Sequence, residues 1–400
     1  MRVAFVTHQY FPGYYTGVER DTLNLTNQLR LLGHRCVVIA PSFSHPSQPP
    51  AYTFSGTVVR TVEPGQPDRL RPWANPSSTG AEIGRILDEE QIELVHVAHT
   101  LRMPQIFDEV ARRELPMVVH LHDYDFLCYQ VIMVRADGKL CRSAEGGRAC
   151  IGVCGCPTAP ERIEWGRGVL ASADAVVSPS RFLIDLFASE GFDTTGWHHV
   201  RCGVDYSLFP TRLPDPESER LHIGFIGTLL PHKGPQLLIE ALRLAPELQA
   251  TLSIYGESFG HGVWEAELAE IVAKDPRIHL MGPYRHDEFV DVLAPLDAVA
   301  VPSLWYENYP IAAANAVAAG VPLITSASGG LRELVDDFHA GFTFELGNAR
   351  SLADLLLSLS DDRSLLHAAR EEMLYPPSVE EEAFAIEEIY LDVLAPAVIG

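Results

Sequence analysis

The stretch Leu221-His-Ile-Gly-Phe-Ile-Gly-Thr-Leu-Leu-Pro-His-Lys-Gly-Pro-Gln-Leu-Leu-Ile-Glu-Ala-Leu-Arg-Leu244 carries three signals in succession. Leu221 to Ile226 is an apolar run of the length of a buried strand. Gly227 to Gly234 is a loop with glycine at each end. Pro235 to Leu244 then reads as a helix, with proline in the first turn, where its missing N–H costs nothing. Ala250 to Tyr255 is the next strand, which completes a strand–helix–strand unit of a parallel sheet.

The same pattern stands at the N-terminus. Val3 to Thr7 is a strand, and a loop containing Gly13 and Gly17 follows. A helix places Val18, Thr22, Leu25, Leu29 and Leu32 on one face and stops at Gly33. Cys36 to Ala40 is the second strand. A doubly wound sheet therefore begins the chain, and another restarts near residue 221. Leu94–Val97, Met117–Leu121 and Ala175–Ser178 read as further strands of the first. Ile278–Met281, Ala298–Pro302 and Val321–Thr325 read as strands of the second.

The chain has 400 residues, too many for one ordinary core. The expected fold is α/β, with domains at 1–205 and 221–376 joined by a linker at 206–220. Phe209-Pro-Thr-Arg-Leu-Pro-Asp-Pro216, with three prolines, lies in that linker. Residues 377–400 carry Phe384, Ile386, Ile389, Tyr390 and Val393 at helical spacing, an apolar face expected to pack back on the first domain. Parallel sheets hold ligands at the carboxyl ends of their strands. If those ends face each other, the ligand lies in a cleft between the domains.

Composition narrows the function. Apolar residues make up 47% and charged residues 21%, so ordered cores are affordable and disorder is disfavoured. The net charge of −23 comes with no run of Lys or Arg, which argues against nucleic acid and against an anionic bilayer as partners. The first eight residues hold too short an apolar run for a secretory signal. Ile311 to Ile324 is interrupted by Asn315, Gly320 and Pro322, and no stretch has the ~18–20 apolar residues of a transmembrane span. A cytoplasmic protein is expected. Neither first-strand loop reads Gly-x-Gly-x-x-Gly or has a Lys-Ser/Thr phosphate loop, so a dehydrogenase or phosphate-loop NTPase is not indicated.

The densest chemistry lies in Val301-Pro-Ser-Leu-Trp-Tyr-Glu-Asn-Tyr-Pro-Ile-Ala-Ala-Ala-Asn-Ala-Val-Ala-Ala-Gly-Val-Pro-Leu-Ile-Thr325. A strand ends, Glu307 sits in the loop, Pro310 opens a helix and Gly320 closes it. The free amides near Asn308, Tyr309, Pro310 and Ile311 make a positive helix end suited to a phosphate or sugar oxygen. The competing reading of Glu307 is a mere helix N-terminal carboxylate, against which its surrounding sequence and free-amide helix end speak. Read alone, His122 is equally a structural histidine, and Lys233 a solvated surface lysine.

Together these segments resemble the retaining, GT-B-fold glycosyltransferases of family four, the glycosyl transferases group 1, over nearly the whole chain. The resemblance implies a GT-B-like fold and transfer of a sugar from a nucleoside diphosphate to an acceptor hydroxyl. Glu307 matches the first Glu of the family's Glu-x7-Glu region, which contacts the donor sugar. Asn315 stands where the second Glu contacts the ribose, a departure. Phe225 to Gly234 is similar to the Gly-Arg-x-x-x-x-Lys-Gly loop that holds the donor diphosphate; Lys233 matches, and Thr228 replaces the frequent Arg. Thr16-Gly17-Val-Glu19 resembles the glycine loop near the phosphates, with Gly17 retained. His122, in His120-Leu-His-Asp123, matches the active-site histidine. Gly203-Val-Asp205, Ser326 to Leu334 and the final Glu387-Glu-Ile-Tyr390 also fit.

The resemblance thus makes His122, Lys233 and Glu307 the catalytic candidates. Gly17, Thr228, Lys233, Asn308, Tyr309, Pro310, Ile311 and Asn315 become the donor-binding ones. It implies no cofactor and no catalytic metal, with the nucleotide sugar as co-substrate and the acceptor unidentified. A phosphorylase or epimerase on the same fold and a noncatalytic sugar-nucleotide-binding partner subunit stay open, the latter because of Thr228 and Asn315.

The cysteines form a separate pattern. Cys128, Cys141, Cys150, Cys154 and Cys156 fall in a loop spanning 124–160 after the His122 strand. Clustered cysteines outside a secreted scaffold suggest a closed structural zinc site, here Cys128, Cys141, Cys150 and Cys154, with free thiols or a redox pair as alternatives. Cys36 and Cys202 read as small core residues.

Overall fold

In the computed structural model, which describes residues 1–64, 70–74, 77–99, 101–209, 211–216, 219–258 and 262–395, the chain divides into two units. One is Met1–Gly203 with Pro377–Gly400; the other is Val204–Pro376. Pro210 and residues 396–400 lie outside the described residues.

The first unit is built on eight strands: β1 (Arg2–Val6), β2 (Arg35–Pro41), β3 (Ala51–Phe54), β4 (Thr57–Val62), β5 (Leu94–Val97), β6 (Met117–His120), β7 (Ala175–Ser178) and β8 (His198–His199). Their order in the sheet is β3-β4-β2-β1-β5-β6-β7-β8. All neighbours run parallel except β3 and β4. Those two form a hairpin across Ser55 and Gly56, both at positive φ (48° and 78°), as a tight two-residue turn requires.

The central strands β5, β6 and β7 are buried at every residue and β1 at all but its first, as in a parallel sheet covered on both faces, whereas β3 and β4 mix polar and apolar residues. The helix Gly17–Leu31 puts Leu25 and Leu29 into a core shared with Val3, Phe5 and Val38. The same core receives Ala383, Ile386, Ile389 and Tyr390 from the helix Val379–Leu394. That last helix is started by a reciprocal cap. Ser378 Oγ accepts from the Glu381 amide at 3.2 Å, and Glu381 Oε2 accepts from the Ser378 amide at 2.7 Å.

The second unit has six parallel strands: β9 (Leu221–Ile226), β10 (Ala250–Tyr255), β11 (Ile278–Gly282), β12 (Ala298–Val301), β13 (Leu323–Ser326) and β14 (Gly341–Phe344). Their order is β11-β10-β9-β12-β13-β14. This is the doubly wound order in which direction reverses between the first and fourth strands, and the crevice at that switch point is where such sheets bind ligands. In the first unit the corresponding reversal lies between β1 and β5.

The proline-containing segment expected as a linker is laid along the second unit. The Leu213 amide donates to Ala319 O at 2.8 Å, and the Arg212 guanidinium donates to Arg370 O and Met373 O at 3.0 and 2.6 Å. Among the described residues, no helix is long and apolar enough to cross a membrane.

Candidate active site

In the second unit the switch point brings two loops together, one after β9 and one after β12. The β9 loop folds back through a short turn, Pro231–Lys233, and ends at Gly234 with φ +78°. A Cβ there would stand 2.1 Å from Pro302 O, so only glycine lets this loop press against the end of β12. The Leu304 amide donates to His232 O at 2.7 Å and completes the join.

The join seats Lys233 on Glu307. Lys233 Nζ donates to Glu307 Oε1 at 2.9 Å and to Oε2 at 3.2 Å, and it lies 4.8 Å from the Trp305 ring centroid. Ser303 Oγ and Trp305 Nε1 also donate to Oε1, at 2.6 and 2.8 Å. Glu307 is 4% exposed. Burial alone would raise its pKa, but the Lys233 ammonium and the Ser303 and Trp305 donors outweigh burial and hold the carboxyl below its ordinary range. Oε1 thus takes three donors, while among the described residues Oε2 takes only the longer Lys233 contact.

The turn carrying Glu307 is shaped from behind by Gly329 and Gly330. A Cβ on Gly330 would fall 1.6 Å from Asn308 O, and the Gly330 amide donates to Glu307 O at 2.7 Å. Asn308 and Tyr309 are buried, Pro310 is the N-cap, and Ile311 begins the helix Ile311–Ala318. Asn315 is on that helix and 8% exposed. Gly320, at φ +83°, ends the turn after it. Thr228 lies in the β9 loop, where its carbonyl accepts from the Leu230 amide at 2.9 Å.

In the first unit, the ends of β1, β5 and β6 gather histidines. The His8 and His99 rings lie 4.1 Å apart across the switch point. His99 Nε2 is hydrogen-bonded to Asp123 Oδ2. Burial pushes His99 down, but the Asp123 carboxylate overrides it and raises the ring above its usual range. The His120 and His122 rings lie 4.2 Å apart, and His122 Nε2 is 3.6 Å from Asp21 Oδ2. Burial lowers the pKa of His122. Gly17 is exposed as the first residue of its helix, ahead of a cap in which Glu19 Oε2 accepts from the Thr16 amide and hydroxyl at 2.7 and 2.6 Å.

Several participants were not singled out from sequence: Ser303 and Trp305 around Glu307, and His8, His99, Asp21 and Cys202 in the first unit. Ser303 and Trp305 stood inside the quoted Val301–Thr325 stretch, which was their one available signal. Cys202, read as a plain core residue, instead shares a cluster with Asp21, His120 and His122, whose ligand atoms lie within 4.8 Å of one another.

The cysteine loop differs from expectation. Residues 124–147 form turns around a single bridge, Val134 to Leu140, and the helices Arg148–Cys154 and Ala159–Ser172 follow. All seven cysteines are free. Burial, with smaller contributions from the four thiols around it, pushes Cys150 up to about 12. Among the described residues, the group with ligand atoms close enough to share an ion is Asp21, His120, His122 and Cys202. The structural zinc expected at Cys128, Cys141, Cys150 and Cys154 therefore has no support. Cys150 and Cys154 share one helix, and Cys141 Sγ is turned to Ser143 O at 3.3 Å.

Two doubly wound sheets, one with a lysine–carboxylate pair at its switch point, have the architecture that places a ligand crevice at the carboxyl ends of the strands. The chain belongs to the GT-B-fold glycosyltransferases: the family model "Glycosyltransferase Family 4" matches residues 15–208, and "Glycosyl transferases group 1" matches residues 214–373. A glycogen synthase of Mycobacterium tuberculosis is 26% identical over 98% of this chain and 94% of its own. A D-inositol 3-phosphate glycosyltransferase of Catenulispora acidiphila is 27% identical over 81% of this chain and 78% of its own. In fold, the chain is similar to sucrose-phosphate synthase from Thermosynechococcus elongatus (TM-score 0.77, 18% identity, 98% and 99% of the two chains). It is likewise similar to Anabaena HepE in complex with UDP and glucose (TM-score 0.71, 18% identity, 97% and 98%).

Proposed function

We propose that this chain moves a hexosyl group from a nucleoside-diphosphate sugar to an acceptor hydroxyl, with retention of anomeric configuration and without a metal ion in the chemical step. The observation that carries the reading is the pairing of half-buried Lys233 with buried Glu307 at the switch point of the second unit. HepE was solved with UDP and glucose, and the starch synthase IV catalytic domain of Arabidopsis thaliana, similar in fold, was solved with ADP and acarbose.

In this reading Lys233 neutralises the diphosphate as the bond from the anomeric carbon to its oxygen breaks. The Gly17 amide and the amides opening the helix Ile311–Ala318 add fixed positive ends. The acceptor hydroxyl forms the new bond on the same face, and its proton passes to the departing diphosphate. Glu307 orients the sugar through Oε2, since Oε1 is already saturated by Ser303, Trp305 and Lys233. Asn315 serves the ribose, Thr228 lies beside the diphosphate, and His122 meets the sugar or the acceptor. In this reading the protein works in the cytoplasm.

The test is release of nucleoside diphosphate from UDP- and ADP-hexoses with a glucan or an inositol phosphate as acceptor, the acceptor classes suggested by the relatives' names. Acceptor-dependent release with formation of an α-linked product from an α-linked donor supports the reading. A requirement for inorganic phosphate would make the protein a phosphorylase, and tight donor binding without turnover would make it a noncatalytic subunit.

A further inference from the structure

Around the His122 ring the first unit buries three polar groups, Asp21, His120 and Cys202, to which the glycosyl-transfer reading gives no role. Asp21 comes from the helix Gly17–Leu31, His120 ends β6, His122 follows two residues later on the same side of the chain, and Cys202 precedes the last residue of the unit's main segment. One ligand atom from each lies within 4.8 Å of the others. Asp21, His120 and Cys202 are each 2% exposed, and the His122 side chain is 7% exposed.

The Asp21 carboxyl is hydrogen-bonded to Cys202 and to Glu382, but the imidazoles and one Asp21 oxygen have atoms left over. Neither ring nitrogen of His120 has a hydrogen bond, nor does His122 Nε2 or Asp21 Oδ1. Buried polar atoms are nearly always satisfied, so a convergent set of orphans needs a common partner. Two imidazoles, a thiol and a carboxylate are each zinc ligand types, and four in a closed group is the number zinc takes in a structural site. The charges also balance. A thiolate and the Asp21 carboxylate supply two negative charges, the imidazoles are neutral, and a divalent ion cancels the sum, which lowers the cost of burying Asp21 beside the Glu382 carboxyl it is hydrogen-bonded to. Bonds of roughly 2.0–2.3 Å in a tetrahedron put ligand atoms about 3.3–3.8 Å apart, so the four side chains close by about 1 Å on the ion. Glu382 backs the group, its Oε2 accepting from the Gly203 amide, next to Cys202, at 2.8 Å.

We propose that Asp21, His120, His122 and Cys202 bind one structural zinc ion in the first unit. The ion ties the first helix, the end of β6 and the segment leading to Gly203 into one body. Bound through Nε2, His122 keeps its proton on Nδ1 and becomes a fixed donor. Only this last consequence rests on the glycosyl-transfer reading.

The test uses the full chain without a His tag, stripped with a chelator and titrated with Co2+ alone, alongside elemental analysis of protein grown with zinc. The expected result is one equivalent of zinc as purified and one of cobalt, with strong visible bands of four-coordinate cobalt and a thiolate charge-transfer band. Cys202→Ser removes the charge-transfer band and weakens binding at least ~10-fold. Asp21→Asn keeps the band and also weakens binding. Cys150→Ser changes neither, which separates this site from the cysteine loop. Absence of bound metal, a charge-transfer band surviving Cys202→Ser, or its loss in Cys150→Ser overturns the proposal. Should Cys202→Ser fail to fold by circular dichroism, unchanged cobalt affinity in Asp21→Asn overturns it instead.

Discussion

Glu307 and Lys233 are set to work as a pair. The carboxylate is desolvated, yet its donors keep it ionised, which is the arrangement that gives an electrostatic contact its full strength. Lys233→Ala and Glu307→Ala should each lower acceptor-dependent transfer at least ~100-fold with the fold intact, the scale of one lost preorganised contact. Steady-state rates with circular dichroism decide it, and wild-type rates would remove these residues from the chemistry. The pair also predicts a pH dependence. Because Glu307 titrates lower in the folded chain than its ordinary 4.5, its stabilisation is present above that value and is lost as pH falls through the folded pKa. Melting temperatures of wild type and Glu307→Gln should converge as pH drops below 4.5; parallel curves would contradict the pairing. Asn315 has one acceptor oxygen where a Glu would offer two. Asn315→Glu should tighten nucleoside diphosphate binding by about 1 kcal/mol, and calorimetry showing equal or weaker binding would place Asn315 away from the ribose. Glu307 and Lys233 were visible in the sequence because each sits in a loop bracketed by glycine or proline between a strand and a helix. Asp21 and Cys202 were not, since nothing in their spacing says that residues so far apart share one buried spot.

At the scale of elements, the strands that carry the loops were legible, and of those at the sheet margins Ile278–Gly282 was read within one residue while the others were missed. Leu221–Ile226 and Ala250–Tyr255 stand in the structure at the bounds read from their unbroken apolar runs. The hairpin Ala51–Phe54 and Thr57–Val62 went unread because its strands mix polar and apolar residues and turn on Ser55-Gly56 rather than on a common hairpin pair. Gly341–Phe344 is a short edge strand with only one buried side chain. The loop-to-helix contact behind Glu307 depends on Gly330 having no Cβ. Gly330→Ala should cost about 1–3 kcal/mol, the range for overpacking a closed site, and should weaken donor binding as the Glu307 turn is displaced. Urea unfolding and calorimetry measure both, and a variant as stable and as tight-binding as wild type would show that the turn yields freely.

For the whole molecule, each unit carries its own sheet and core, and the chain returns from the second to the first through the helix Val379–Leu394. The periodic restart at Leu221 made the pair of sheets readable from sequence. The boundary was less so, because the proline-containing segment owes its place to Arg212 and Leu213, whose hydrogen bonds to the second unit leave no periodic trace. The central claim is that the second unit holds the nucleoside diphosphate of the donor on Lys233. Isothermal titration of UDP and ADP into wild type and Lys233→Ala tests it most directly. The account predicts saturable binding of at least one nucleotide by wild type and at least ~10-fold weaker binding by the variant, a loss of about 1.4 kcal/mol; equal affinities in the two proteins would contradict it.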